Sequence, residues 1–509
     1  LRVILKIIIS GIILFIISLI FIFFGIYSLI INKFYIYEWV IFRFNSIKIN
    51  FILLFSFKLL IFSFLVILIS SIILLYRVSY MNLRNEFYIL RFYYLILIFL
   101  ISIIFLIFSP NMLTLLLGWD GLGLISYCLI IYYQKILSFN SGILTVILNR
   151  LGDSSAQLIF IIWLPAAMIA PTPVSSLVHS STLVTAGIYL LIRYESLIDL
   201  KCKTYVLIIS RITMLISGLI ANFEIDFKKI IALSTLRQLG FIIRIYSLRI
   251  TNLTFLHLFI HAFFKSIIFI CVGRLIHYIT GIQNFRFYSG IYYLYPIKGL
   301  LIIFSLLILC GFPFLVGFYS KDLIIEYYFL NNIRIFRLIN LVLGTVLTVS
   351  YSFRIIFMVL NRNYIINLIY LDEDYVIIYC ITVILVIILI LRKFIFNFYY
   401  FHLVLNLTYV YKYFVFKIIF LGFLFTFIVR KVNYKKRIVI FIKRFFIIEY
   451  FYKFIINKII NKLVMYEFYF EKGLIEKFSG KVIDYVNNLI KINNFYRITN
   501  LLLIYIYIY

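Results

Sequence analysis

Three titratable side chains lie four residues apart in one apolar run, at His257, His261 and Lys265. A spacing of i, i+4 and i+8 places them in one stripe along a single helix. Imidazole titrates near neutral pH, and a lysine removed from water can exchange its proton there as well. A lone histidine in such a run is usually a packed polar side chain. Three titratable groups on one face instead favour a path for protons.

A second group of charges follows an interruption of another apolar run, at Gly311 and Pro313. Proline removes a backbone donor and breaks a helix, and broken helices at membrane depth line polar cavities or ion sites. The adjacent Lys321 and Asp322, with Glu326 one turn later, predict a proton or ion relay. The alternative is a loop at the membrane surface with solvated charges, and composition does not decide between the two.

Two further positions combine a helix-packing or helix-breaking motif with a titratable group. Asp120 lies in the middle of an apolar run, within Gly-Trp-Asp-Gly-Leu-Gly, where glycines permit close helix approach. A relay role and a local ion pair are equally open for it. Pro171 and Pro173 predict another break, ahead of His179, for which a plain interhelical turn is the alternative.

Asp226, followed by Lys228 and Lys229, stands just before an apolar run. An acidic residue at the start of a helix can cap it and complement its dipole. Helix capping is therefore the preferred interpretation of this group.

The elements that must position these side chains are membrane helices. The chain has 509 residues, of which 65% are apolar and 13% charged, and its mean hydropathy is +1.14. Ordinary soluble chains are about 45–50% apolar and about 25% charged. A soluble fold could not bury this much apolar surface, and a disordered chain would not contain it. The composition therefore predicts a multi-span membrane protein.

The net charge of +30 comes from Lys and Arg residues that lie mostly beside apolar runs. There they can face lipid headgroups, so the expected partner is the lipid bilayer and not nucleic acid. The five cysteines are scattered and form no C-x-x-C pair. Since phosphate-binding, dinucleotide-binding and metal-binding motifs are also absent from the sequence, no cofactor and no metal is expected in this chain.

A helix needs about 20 apolar residues to cross a bilayer, and about fourteen runs qualify. The first, 3–31, is too long for a cleaved signal and is expected to be a span. The candidates are 3–25, 51–75, 88–109, 112–133, 141–163, 174–192, 204–221, 229–246, 252–278, 298–316, 336–360, 376–396, 401–428 and 495–509. The predicted fold is an all-α polytopic transmembrane helix bundle. The basic stretch 430–463 is typical of an amphipathic surface helix, with a cationic loop as the alternative.

Several collinear stretches of the chain carry a family resemblance. They are 108–134 with GWDGLG, 163–193 with APTPVSSLVHSSTLV, 226–241, 257–277 with HLFIHAFFKS, 311–326 with GFYSKD, and 347–354. Together they resemble the chain 5 family of NADH:ubiquinone oxidoreductase (respiratory complex I), which is related to Mrp-type cation/proton antiporter subunits. The resemblance covers 108–354 and rests on long, specific motifs.

The resemblance implies two inverted five-helix repeats, each with one discontinuous helix, and an amphipathic lateral helix near the C-terminus. It implies that Asp120 is an acidic partner, that Lys321 and Asp322 form a distal relay, and that a central polar axis runs between them. That axis would consist of His179, His257, His261 and Lys265. The implied division is N-terminal helices in 1–107, the proton-translocating core in 108–360, C-terminal helices in 361–429, and the lateral helix with a terminal segment in 430–509.

The resemblance also implies an activity and its setting. The chain would be a non-redox subunit that translocates protons while electrons pass from NADH to ubiquinone. NADH, FMN, iron–sulfur clusters and ubiquinone would then bind other subunits, and the partners would be the other membrane-arm subunits. The implied location is the mitochondrial inner membrane, with the chain passing through it many times.

One departure from the family pattern falls between Asp153 and Ser154. The family places a further turn, a loop and another helix start between an N-R-x-G-D motif and its K-S-A-Q motif, whereas here Asn149–Asp153 runs straight into Ser154. Ser154 stands where the family has a proton-carrying lysine, and Ile159 where it has proline. This predicts a missing segment. Two alternative functions stay open: an Mrp-like antiporter subunit, and a non-functional or incomplete copy.

Overall fold

The computed structural model describes residues 2–44, 47–80, 86–152, 170–279, 281–330, 335–361, 378–387 and 413–433, with a few isolated positions. The chain divides into two compact units, Leu1–Lys443 and Arg444–Tyr509, and the elements named below belong to the first. Within the described part, nine helices are long and apolar enough to cross a membrane. The helical, multi-span fold class predicted from composition is thereby confirmed.

The N-terminal part of the described chain combines long apolar helices with one β-hairpin. Its elements are α1 (Arg2–Ile31), β1 (Tyr35–Phe44), β2 (Ile47–Phe55), α2 (Phe57–Tyr80), α3 (Glu86–Phe108), α4 (Met112–Ile130), α5 (Ile136–Gly152) and α6 (Thr172–Arg193). Within α6, Ser175–Thr182 is a π-helical stretch. The Thr182 hydroxyl donates to the Leu177 carbonyl five residues earlier, at 2.7 Å, which fits this wider turn.

The C-terminal part of the described chain is helical. Its elements are α7 (Leu200–Phe223), α8 (Phe227–Ser247), α9 (Thr251–Tyr278), α10 (Pro296–Cys310), α11 (Val316–Leu330), α12 (Ile335–Leu360), α13 (Ile378–Ile387) and α14 (Phe414–Asn433). The expected terminal span 495–509 lies outside the described residues, as do most of 430–463 and the end of 141–163.

The structure corrects the expected span 51–75, because α2 begins only at Phe57 and the residues before it form β2. The two strands pair antiparallel, with Tyr35 opposite Phe55 and a bulge between Val40 and Phe42. Both strands are rich in aromatic and β-branched residues, which favour extended backbone. A hydropathy average over about 20 residues merges such a strand with the helix that follows it.

The expected span 298–316 is also corrected, since the helix ends at Cys310 and α11 starts at Val316. The break expected at Gly311 and Pro313 is present between them.

The core of the bundle is formed by α8 and α9. The apolar windows of both are 100% buried inside the chain, whereas that of α1 is 17% buried and faces outward. α8 packs against α7 and α9, while α9 also packs against α6, α10 and α11. The stripe of His257, His261 and Lys265 on α9 therefore lies inside the described bundle and not on its surface.

Two arginines tie the ends of distant helices together. Arg193, at the end of α6, donates to the carbonyls of Ile107 and Ser109 at 2.7 and 3.2 Å. Arg354, near the end of α12, donates to the carbonyls of Asn222 and Glu224. The last carbonyls of a helix lack intrahelical partners. These guanidinium groups satisfy them and fix α6 to α3 and α12 to α7.

Candidate functional site

The predicted stripe on α9 is buried in the middle of the bundle. His257, His261 and Lys265 are 4%, 2% and 0% exposed. The polar groups are thus removed from lipid, as the cost of a charge in hydrocarbon requires.

Side chains of neighbouring helices bind both ends of the stripe. The Lys265 ammonium donates to the Ser234 hydroxyl of α8. His257 Nδ1 lies 3.0 Å from the Ser320 hydroxyl of α11, and its Nε2 lies 3.5 Å from Gln238 Oε1 of α8. Between them, both ring nitrogens of His261 are buried and have no hydrogen-bond partner among the described residues. Three helices thus contribute to one polar axis.

The break between α10 and α11 follows from its sequence. Gly311 adopts a left-handed φ of 79°, which favours glycine. Its N–H donates to the Ile308 carbonyl and that of Phe312 to the Leu307 carbonyl, which together make a Schellman ending. Pro313 has no N–H to offer the Leu309 carbonyl. The Lys321 ammonium donates to that carbonyl instead.

The position of Lys321 depends on a close approach of α11 to α10. A Cβ atom on Gly317 would lie 2.0 Å from the Ile308 carbonyl oxygen, so only glycine fits there. Lys321 is 6% exposed, and Ser320 beside it binds His257. The second break therefore joins the α9 stripe. Asp322 is the next residue on α11. Because the side chains of consecutive helical residues point in different directions, Asp322 and Lys321 do not face each other.

The first break lies before α6, where Pro171 and Pro173 are both buried. The N–H of Val174 donates to the Pro171 carbonyl, so the Ala170 carbonyl is left over. The Lys228 ammonium of α8 donates to it at 3.3 Å. His179 lies in the π-helical stretch of α6, and its side chain is outside the described part of the structure.

The structure does not place Asp120 in this axis. Asp120 is half-buried on α4, which packs against α3 and α5. The glycines around it act as predicted, because a Cβ on Gly118 would lie 2.9 Å from the Leu106 backbone nitrogen of α3.

The preferred interpretation of Asp226 needs a correction. Asp226 stands at the N-cap position of α8, but its side chain makes no capping hydrogen bond. It pairs with Lys229 at 3.0 Å, and both side chains are partly exposed. Because its carboxylate is turned to the i+3 lysine, the helix start is not capped by it.

Sequence reasoning missed three polar residues that bind the predicted ones: Ser234, Gln238 and Ser320. A fourth missed residue, Arg237, is buried beside them. The available signal was the density of polar residues in α8, a helix that is nevertheless 100% buried. Polar side chains in such a helix must face polar neighbours.

The side chains of this arrangement are of the types that can exchange protons. Imidazole, ammonium and hydroxyl groups can each take up or release a proton or hand it on through a hydrogen bond. Two bonded groups face each other along the axis: Lys265 with Ser234, and His257 with Ser320. Lys321, the residue after Ser320, bonds the Leu309 carbonyl.

Comparison with known proteins places this geometry in a family. A chain from Apis mellifera ligustica named NADH-ubiquinone oxidoreductase chain 5 is 46% identical, over 99% of this chain and 99% of its own length. The chain belongs to the NADH-ubiquinone oxidoreductase chain 5 family. The family model for the NADH:quinone oxidoreductase/Mrp antiporter transmembrane region matches residues 154–348. This match begins at Ser154, directly after the irregular junction.

Two further similarities agree in family and fold. The chain 5 protein of Locusta migratoria is 44% identical over 54% of this chain and 56% of its own length. The solved Mrp complex from Dietzia sp. contains a chain with a TM-score of 0.66 and 20% identity, covering 82% of this chain and 53% of that one. At this identity the likeness concerns the fold.

The alignments with the bee and locust proteins both contain positions that this chain lacks. The bee alignment spans 564 positions but holds 99% of 509 residues, so about 60 positions have no residue of this chain opposite them. The locust alignment spans 323 positions and holds 54% of 509 residues, about 275, so about 48 positions are unmatched.

Proposed function

We propose that this chain translocates protons across a membrane as a subunit of an NADH-ubiquinone oxidoreductase, and that the α9 stripe is its central path. The observation that carries the proposal is the buried polar axis in which Lys265 and His257 are held by Ser234, Gln238 and Ser320. Buried ionisable groups in membrane proteins mark ion and proton pathways, because they are too costly to keep otherwise.

Lys265 is the proton-holding group of the proposed path. Its ammonium is anchored to Ser234, so its position is fixed whether the neighbouring imidazoles are charged or not. His261 is one helical turn away and His257 one turn further, which leaves gaps of about 5–6 Å between Cβ atoms. Buried polar atoms without protein partners usually bind water, and the two ring nitrogens of His261 have no partner in the described part of the chain. Water at His261 would connect Lys265 to His257.

Lys321 is the exit group of the proposed path. His257 binds Ser320, and Lys321 is the next residue along α11. The Lys321 ammonium holds the Leu309 carbonyl at the break. Loss of its proton would weaken this bond, because a neutral amine is a poorer donor than an ammonium, so proton release is coupled to the geometry of the break.

The setting of this function is also part of the proposal. The chain would carry no redox centre of its own, while NADH, FMN, iron–sulfur clusters and ubiquinone bind other subunits of the complex. The other membrane-arm subunits and the lipid bilayer would be its partners, and the mitochondrial inner membrane its location. The family relationship of the bee protein supports this assignment over a free-standing Mrp-like antiporter subunit.

The decisive experiment replaces Lys265 by Met in the assembled complex. Methionine keeps an unbranched side chain of similar length but cannot hold a proton. We expect NADH-driven proton pumping into proteoliposomes to fall at least about tenfold. The matched control is Lys203→Met, which removes another buried lysine, one that pairs with Glu195 at 3.2 Å outside the axis. Normal pumping by an assembled Lys265→Met complex would refute the proposed path.

A further inference from the structure

Arg237 is a fully buried cation on α8 for which the path described above has no role. It is 1% exposed, and one of its terminal nitrogens donates to the Gly344 carbonyl of α12. Its Nε and other terminal nitrogen have no hydrogen-bond partner among the described residues. Arginine keeps its charge in proteins under ordinary conditions. A permanent positive charge therefore lies inside the bundle.

Two glycines form the niche that holds this side chain. A Cβ on Gly218 of α7 would lie 3.2 Å from Arg237 Cδ, so the absence of a side chain there makes room for the arginine stem. Gly344 offers its carbonyl to the guanidinium, and a Cβ at that position would collide with Met214 of α7 at 2.1 Å. The guanidinium is thus held by the backbone of α12, and the arginine stem passes the backbone of α7 at Gly218.

The groups around Arg237 belong to the proposed relay and its lining. Ser234, three residues before Arg237 on α8, accepts from Lys265 of α9, and Gln238, the residue after Arg237, lies 3.5 Å from His257. The charge of Arg237 also acts on Lys321 of α11, Tyr351 of α12 and Cys310 of α10. The acidic residue next to Lys321 is Asp322. Like charges repel more strongly in a buried setting than in water. Each proton added to the axis therefore meets a cation that is already present.

We propose that Arg237 is the fixed positive charge of the relay, which opposes simultaneous protonation of Lys265 and Lys321 and so keeps one proton on the axis at a time. It acts through the two lysines and does not carry the proton itself. Single occupancy couples the two lysines, because either one accepts a proton only when the other has released its own. This inference rests on the proposed function.

The test replaces Arg237 in the assembled complex and measures protons pumped per NADH oxidised between about pH 6 and about pH 9. Arg237→Gln removes the charge and keeps hydrogen-bonding groups, whereas Arg237→Lys keeps the charge. We expect the alkaline limb of the Arg237→Gln profile to move to higher pH by about one unit, and the Arg237→Lys profile to stay in place. The matched control is Arg244→Gln on the same helix, also 1% exposed and bound to Tyr328 at 3.1 Å, which should leave the profile unchanged.

Several outcomes would overturn the inference. An unchanged profile for Arg237→Gln would show that its charge does not act on the lysines. Equal shifts for the Gln and Lys variants would assign the effect to the bond with Gly344 and not to charge. If Arg237→Gln does not assemble, Arg237→Ser is measured instead, and failure of both would assign the charge to folding. A wild-type-like profile for Arg237→Gln together with inactive Lys265→Met would leave the proposed function intact, whereas active Lys265→Met would defeat that function itself.

Discussion

The two helix breaks use the same chemistry with different connectivity. At each, a lysine ammonium donates to a carbonyl that the interrupted helix leaves without a partner. At the second break the donor is Lys321, 12 residues beyond Leu309 on the continuing helix. At the first, the donor is Lys228, which is 58 residues away from Ala170 and belongs to α8.

Under the proposed function, this difference separates a break that can act in the relay from one that is only held in shape. At the second break the ammonium is next to Ser320, and through it next to His257. At the first break, Lys228 lies at the start of α8 and donates to the Ala170 carbonyl from this separate helix. We call the part of the chain up to the end of α6, with the first break, the first half, and the part from α7 onward the second half. Asp120, the acidic residue expected to serve the first half, lies on a helix whose apolar window is only 28% buried, against 100% for α9. A charged relay needs enclosing helices, and the described first half supplies fewer of them.

The largest expected difference between the halves is a missing segment between Asp153 and Ser154. We expect genomic DNA and full-length transcript to carry about 40–60 additional codons there, including a lysine codon at or near position 154. The unmatched positions in the bee and locust alignments, about 60 and about 48, support a segment of this size. The family match that begins at Ser154 supports the place. Such a segment would return a helix and a titratable group to the first half.

Sequencing across codons 153 and 154 checks this, with a second amplified region, such as codons 257–321, as the control for read quality. An uninterrupted Asp–Ser junction in both DNA and transcript, from a chain whose complex still pumps, would contradict it. In that case the first half would work without a lysine at the position of Ser154.

Sequence patterns predicted the components that depend on local spacing. The i, i+4, i+8 stripe, the break at Gly311 and Pro313, and most spans follow from residue order along one helix, because helical geometry fixes which side chains share a face. The hairpin before Phe57 was missed because its period of two is averaged out over a membrane-length window.

The partners across helices could not be predicted from one sequence. Ser234 and Ser320 bind Lys265 and His257 only because α8, α9 and α11 pack together, and nothing in the local sequence states that packing. Arg237 was missed for the same reason, since its niche is made by Gly218 and Gly344, more than a hundred residues apart. Long-range packing, and not residue type, selects these partners.

A smaller but still large effect is expected from Gly317→Ala at the second break. The new Cβ would lie 2.0 Å from the Ile308 carbonyl, so α11 must move away from α10 and carry Lys321 with it. We expect a loss of at least about 1–3 kcal/mol of stability, and loss of pumping by any complex that assembles. Thermal unfolding and pumping by the purified complex measure the two effects.

The first half supplies the control for this substitution. Gly187→Ala on α6 introduces the same methyl group into a helix, but its nearest neighbour is Trp119 at 3.8 Å, an ordinary contact. It should leave assembly and pumping unchanged. Equal damage from both substitutions would mean that the close approach at Gly317 is not special.

The finest distinction between the breaks comes from removing each lysine in turn. Lys321→Ala removes both the ammonium that donates to the Leu309 carbonyl and a titratable group of the proposed relay. We therefore expect pumping to fall at least about tenfold in an assembled complex. Lys228→Ala removes only a charged hydrogen bond to Ala170, which costs about 1.5–3 kcal/mol of stability. Pumping per assembled complex should then stay within about twofold of the unmodified protein.

Lys436→Ala in the basic stretch 430–463 controls for loss of a lysine elsewhere and should change neither stability nor pumping. Equal loss of pumping in Lys228→Ala and Lys321→Ala would contradict the comparison, because both lysines would then serve the relay. If Lys321→Ala instead behaves like Lys436→Ala, Lys321 is interfacial and has no part in the relay.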